Sequence, residues 1–128
     1  MAVPTLPDSE LEVMLCLWRF CEPVRTARIL EVISADKSWT LSTLKVLLAR
    51  LEAKGFIECT REGRFTLYRA LVSEESYRRQ ETSGLLKRFY RSSAKQMIAS
   101  LVTDSDLSEQ DLSELAALIE KAGEQHAI

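Results

Sequence analysis

Residues 38–69 read SWTLSTLKVLLARLEAKGFIECTREGRFTLYR, and the order of signals in this stretch decides the fold. Leu41, Leu44, Leu47, Leu48 and Leu51 fall at i, i+3, i+6, i+7 and i+10, which is one apolar stripe at helical period. Thr40 precedes the stripe, and its hydroxyl can accept from the free N–H groups of a first helical turn. Gly55 follows Lys54, as expected of a helix stop with a left-handed cap. Residues 56–61 are strand-like, Glu62-Gly63-Arg64 is a turn with glycine where positive φ is wanted, and residues 65–69 return. Phe65 and Leu67 alternate with Thr66 and Tyr68, so one strand face is the more apolar. A helix, a glycine stop and a hairpin in this order predict the recognition helix and wing of a winged helix-turn-helix module.

The helix face opposite the leucines carries Ser42, Lys45, Val46, Ala49 and Arg50, all small or basic, with no acid before Glu52. A solvated face usually mixes acids in; this one suits close approach to a phosphate-lined groove. Ser42, Lys45 and Arg50 are the candidates for reading base edges. A basic side chain on guanine is the commonest specific contact, at about 1–3 kcal/mol of discrimination. Val46 suits a thymine methyl and Thr43 a phosphate oxygen. Arg61 and Arg64, with Arg69 beyond, bring basic groups to or near the hairpin tip, within reach of the DNA backbone or minor groove. Trp39, just before the helix, is either a core anchor or a phosphate-facing aromatic.

Outward from this stretch, residues 1–7 read as a loose leader with Pro4 and Pro7. Asp8 or Ser9 can cap a first helix, and Ser9 with Glu12 fits a capping box. Leu11, Met14, Leu15, Leu17 and Trp18 give that helix a broad apolar face, and Glu22-Pro23 ends it. Val24 reads as a one-residue strand pairing with the wing. Thr26 can cap a second helix over residues 27–34, with Ile29, Leu30 and Ile33 facing in.

After the wing, Ser73-Glu74-Glu75 marks a helix start running to Phe89 or Tyr90, its acids at the positive end of the dipole. Its polar side is basic, with six basic residues against one acid between positions 78 and 95. Ser92-Ser93 breaks the pattern. A further helix carries Ala94, Met97, Ile98, Leu101 and Val102, and a polar turn follows at residues 103–106. Ser108 with Asp111 resembles a cap for a last helix bearing Leu112, Leu115, Leu118 and Ile119, with fraying after Gly123. Three short amphipathic helices cannot bury their stripes on one another and leave the DNA module free, so interlocking with a second copy is expected. Leu85, Leu86, Phe89, Met97, Ile98, Leu101, Leu112, Leu115, Leu118 and Ile119 are the candidates for that interface. The fold class is thus mainly α with a small β wing: a winged helix-turn-helix domain over residues 1–72, then a helical dimerisation domain over residues 73–128.

Bulk properties narrow the function. At 128 residues with 46% hydrophobic composition the chain is one or two small soluble modules. No apolar run approaches the roughly 18 residues of a membrane span, and MAVPTLPDSE lacks the regions of a secretory signal, so a cytoplasmic protein without membrane insertion is expected. The net charge is −2, but residues 1–72 hold ten Lys+Arg and nine Asp+Glu, and residues 73–128 hold seven and ten. The acid therefore sits in the tail, and local patches govern phosphate affinity. Cys16, Cys21 and Cys59 have no paired spacing and read as ordinary thiols; with His126 as the one histidine, no metal site or cofactor is expected. There is no glycine-rich phosphate loop and no nucleophile–base pairing, and Glu10 with Glu12 or Glu74 with Glu75 read as helix-start acids, so an enzyme is not expected. The competing classes are a winged-helix module that binds protein, and a DNA-binding thiol sensor.

The motifs resemble one family. Trp39, Thr43-Leu44-Lys45, Leu47-Leu48, Arg50-Leu51, Lys54-Gly55, Ile57, Gly63-Arg64 and Tyr68 follow the pattern of the penicillinase repressors (BlaI/MecI/CopY). Leu11-Glu12-Val13-Met14 and Leu17-Trp18 resemble the family's first helix, Val72-Ser73-Glu74-Glu75 the start of its fourth, and Asp106-Leu107-Ser108-Glu109 that of its last. The likeness covers roughly residues 6–120. It implies a bacterial homodimeric repressor on a palindromic double-stranded DNA operator, with Trp39 anchoring the turn. Val46 stands where the family usually has threonine, and Ala49 where a polar residue is common. No cysteine follows Cys59, unlike the copper-responsive branch. The resemblance also implies a membrane sensor protease as partner, whose matching scissile bond here is Ser100–Leu101, a departure on both sides from the family's Asn-Phe-like pair.

Overall fold

The hydroxyl of Thr40 accepts from the Thr43 N–H at 3.2 Å and closes the first turn of helix α3 (Leu41–Ala53). The helix stops just before Gly55, which takes a φ of +82°, a region where a Cβ brings strain. The computed structural model describes residues 3–126. Leu44, Leu47, Leu48 and Leu51 are buried as the stripe predicts, whereas Leu41 is 44% exposed. Helical side chains lean toward the N-terminus, so a leucine at the first position reaches past the end of its own helix.

Two helices close the core around α3. From α1 (Asp8–Leu17) come Val13, Met14 and Leu17, and from α2 (Thr26–Ser34) come Ile29 and Ile33, all buried. The expected caps of these helices do not form. Pro7 is the N-cap of α1 and Arg25 that of α2, neither with a side-chain cap bond, because each helix starts early enough to take Ser9 and Thr26 inside it. Glu10 lies in the first turn of α1, as a helix-start acid should, but it is also buried. Its side chain is 3% exposed and pairs with the Lys54 ammonium at 2.5 Å, which ties α1 to the C-terminal end of α3.

Strands β1 (Val24–Arg25), β2 (Ile57–Glu62) and β3 (Phe65–Ala70) form an antiparallel sheet in the order β1-β3-β2. The expected short strand at Val24 is present, facing Tyr68, and Arg25 faces Leu67. Gly63 turns the hairpin at φ +65°. Val24 and Ile57 are the buried members of the sheet, on the face shared with Cys59 and Tyr68. Phe65 and Leu67 therefore lie on the outward face, and Phe65 is 42% exposed.

The leader is strapped rather than loose over its described part. The Gln80 side chain accepts from the Val3 N–H at 2.9 Å and donates to the Val3 carbonyl at 2.5 Å. The Tyr77 hydroxyl accepts from the Leu6 N–H at 2.8 Å, and Leu6 is buried. Both partners lie far away in sequence on α4 (Glu74–Tyr90), so local composition carried no trace of them. Tyr77 also sets its ring edge-on to Phe56 at 5.6 Å, and the Trp18 indole donates to the Val72 carbonyl at 2.8 Å. The chain divides into two compact units within α4, between Ser83 and Gly84, whereas the sequence places the boundary at 72/73. Tyr77 and Gln80 give the first unit its extension.

In the second unit, α4 ends through Arg91 and Ser92, both in the left-handed region at φ +48° and +68°. Ser93 then caps α5 (Ala94–Asp104), accepting from the Gln96 N–H at 3.2 Å. Ser108 and Asp111 cap each other reciprocally at 3.0 and 3.2 Å to open α6 (Glu109–His126), which continues through Gly123 instead of fraying there. No described residue of α5 or α6 is buried. Expectations for residues 1, 2, 127 and 128 lie outside the described residues. Among the described residues no helix is long and apolar enough to cross a membrane.

Candidate nucleic-acid interface

Because α3 buries its leucine stripe, the other side of the helix must face out. Ser42, Thr43, Lys45, Val46, Ala49 and Arg50 are all exposed there, with Val46 at 50%. Thr43 is also engaged by the cap, since its hydroxyl oxygen accepts from Thr40 at 3.2 Å. Trp39 is half-buried against the margin of the core and borders a shallow cleft with Leu11 and Lys37. That matches an anchor of the turn more closely than a fully exposed aromatic.

The basic groups separate into two kinds. Arg28 pairs with Glu31 at 2.8 Å, Arg69 with Glu58 at 2.5 Å, Arg78 with Glu74 at 3.4 Å and Arg79 with Glu75 at 2.6 Å. Among the described residues, Lys45, Arg50, Arg61 and Arg64 make no ion pair, so a phosphate would not have to displace a carboxylate from them. Arg61 and Arg64 are exposed at the hairpin tip. The recognition-helix face and the wing tip thus offer small side chains and uncommitted cations, whereas Arg69 is held by Glu58 in a cross-strand pair. Two residues that matter to this surface escaped sequence reasoning. Lys54, itself half-buried, anchors the end of α3 through the buried Glu10 carboxylate, and Arg25 stacks its guanidinium over Phe65 at 3.7 Å from the ring centroid. The only sequence signal for the latter was the short strand at Val24, which sets Arg25 beside the wing.

The thiols do not converge. Cys16 is buried, Cys21 exposed and Cys59 half-buried. Burial pushes the Cys16 thiol up, against the pull of Arg19 and Arg28. Among the described residues, no three His, Cys, Asp or Glu side chains are placed to hold a metal ion.

In the second unit, Leu85, Phe89, Ile98, Leu101, Leu112, Leu118 and Ile119 are exposed, Phe89 at 68% and Leu118 at 62%. Leu86, Met97 and Leu115 are half-buried. Ser100 and Leu101 lie within α5, and the Ser100 hydroxyl donates to Asp104 at 3.3 Å.

The family model of the penicillinase repressors matches residues 6–121. The penicillinase repressor of Bacillus licheniformis is 28% identical across 93% of this chain and 92% of its own length. The methicillin resistance regulatory protein MecI of Staphylococcus aureus is 26% identical across 91% of this chain and 94% of its own. Among solved structures, the DNA-binding domain of the repressor BlaI superposes with a TM-score of 0.53 at 30% identity, covering 59% of this chain and 92% of that one. Monomeric Bacillus licheniformis BlaI in complex with the blaP half-operator gives a TM-score of 0.51 at the same identity and coverage.

Proposed function

This chain belongs to the penicillinase repressor family, and on that premise we propose that it is a homodimeric, sequence-specific repressor acting on a palindromic DNA operator in the bacterial cytoplasm. A DNA-binding transcriptional repressor is what the relatives establish; the dimer, the palindrome and the residue roles are the finer reading. The carrying observation is the outward face of α3, free of acids up to Glu52 and bearing Lys45 and Arg50 without ion-pair partners among the described residues. Ser42, Lys45 and Arg50 read base edges in the major groove, Val46 and Ala49 make apolar or close contacts, Thr43 meets a phosphate, and Trp39 anchors the turn with its indole N–H free to meet another. Arg61 and Arg64 hold the flanking backbone.

Dimerisation uses the apolar side chains left exposed on α4, α5 and α6. A second copy covers them and sets two recognition helices about one DNA turn apart, or a multiple of it. Ile119→Asp would place a charge in that contact and is expected to yield monomers with weakened operator binding. Relief of repression by a membrane sensor protease would act at Ser100–Leu101. The bond lies in a helix, so α5 must unwind locally before an extended segment can enter a protease, and a cut there parts α6 from α4. Co-expression with a cognate sensor under induction, leaving that bond intact, would exclude this route.

The test of the main reading is selection of bound duplexes from a random DNA pool, followed by the salt dependence of the winner. A palindrome whose affinity falls with salt by a slope of about 0.9 per phosphate contacted supports it. No enrichment at low salt would turn the reading toward a protein-binding module.

A further inference from the structure

The wing is supported by a third strand for only part of its length. β2 and β3 pair from Ile57 opposite Ala70 to Glu62 opposite Phe65, but β1 ends at Arg25 opposite Leu67. Beyond Leu67 the hairpin is a two-stranded ribbon, and such a ribbon holds its shape poorly in water. Its tip residues Arg61, Glu62, Gly63 and Arg64 are all exposed, so little packing fixes them.

Arg25 extends the support. It shares the outward face of the sheet with Leu67 and Phe65, and its guanidinium lies 3.7 Å from the Phe65 ring centroid. That is stacking contact, much closer than Arg28 over Phe20 at 5.8 Å or Arg88 over Phe89 at 5.5 Å. Arg25 makes no ion pair among the described residues, so no carboxylate draws it off the ring. Phe65 immediately follows the turn and stays 42% exposed even with Arg25 stacked on it, so little besides that stack covers the ring. The stack therefore carries the influence of β1 two residues further toward the tip than the backbone ladder does.

We propose that Arg25 is a positioning residue for DNA binding: stacked on Phe65, it fixes the pose of the wing and so aims Arg61 and Arg64. The proposal rests on the DNA-binding role assigned above, but the brace itself is a property of the protein without DNA. Two measurements separate them. The first is backbone nitrogen-15 relaxation of the DNA-free full chain, compared among wild type, Arg25→Ala and Phe65→Ala. Both variants are expected to lose order at Gly63 and Arg64 while α1 and α3 keep theirs; unchanged order at the tip would overturn the brace. The second is affinity for the duplex enriched from a random pool, across a range of salt.

Each single variant is expected to bind about two- to fivefold more weakly, and the double variant no more weakly than either. In an Arg61→Ala/Arg64→Ala background, Arg25→Ala should have no further effect. Loss that persists in that background, with the salt slope reduced by about 0.9, would make Arg25 a direct phosphate contact and overturn the positioning role. A loosened tip with unchanged affinity would overturn it as well. If wild type enriches no DNA, the DNA-binding reading falls, and the relaxation data decide the brace independently.

Discussion

Lys54→Met tests what holds the recognition helix against the rest of the first unit. The Glu10 carboxylate is 3% exposed and its ion-pair partner is the Lys54 ammonium, 30% exposed. Removing the lysine leaves a charge where water barely reaches, and breaking a fully buried pair in this way costs about 3–5 kcal/mol. Here the outer side of the pair is partly solvated, which screens the interaction and lets water approach the stranded carboxylate. The expected loss is therefore lower, about 2 kcal/mol, or a fall of about 1 M in the urea midpoint. Glu10→Leu combined with Lys54→Met removes both charges and fills the space with apolar atoms, so the double variant should recover most of the stability. The assay is urea unfolding by circular dichroism for both single variants and the double, giving a coupling energy. A Lys54→Met loss under about 0.5 kcal/mol, or a double variant as weak as Lys54→Met alone, would refute the role of this pair.

Other expectations follow from named features. Ser92 sits at φ +68°, so Ser92→Gly relieves a left-handed conformation that costs an L-residue about 1–2 kcal/mol and should stabilise the chain by about 0.5–1 kcal/mol in unfolding at fixed protein concentration. Burial first, and then Cys59 across the strand pair, push the Tyr68 phenol up to about 12, and burial also raises Tyr77. A raised folded-state pKa contributes stability that is full below the ordinary tyrosine value near 10 and is lost as pH rises through the shifted value. Ultraviolet titration should therefore show late tyrosinate formation, one step of which Tyr68→Phe removes. A thiol reagent should modify exposed Cys21 first, and Cys16 only on unfolding, because burial closes access to that thiol and raises its pKa. Mass spectrometry against time and denaturant reads both.

What was legible in the sequence was local. The stripe from Leu44 to Leu51, the Thr40 cap, the positive φ at Gly55 and Gly63 and the reciprocal pair of Ser108 with Asp111 are each settled within a few residues of chain. The outward set on α3 followed from the same periodicity. What was not legible depended on partners distant in sequence. Glu10 is a helix-start acid as read, but nothing nearby reveals its pairing with Lys54, and the leader read as loose because Tyr77 and Gln80 lie more than 70 residues away. The capping box at Ser9 failed through a small shift of the α1 start, since a cap motif has meaning only at one register. Phe65 and Leu67 mark the more apolar strand face, but which side it takes is set by the ladder register, which turns it outward, where Arg25 stacks on Phe65.

The division of labour on α3 has an evolutionary consequence. Leu44, Leu47, Leu48 and Leu51 hold the helix in place, whereas Ser42, Lys45, Val46 and Ala49 lie exposed on its other side. Substitutions at Ser42, Lys45, Val46 or Ala49 can therefore accumulate without a penalty in folding. A duplicated gene could drift to a new operator through stable intermediates, and the same freedom lets an engineer graft a different outward set onto this scaffold without repacking it.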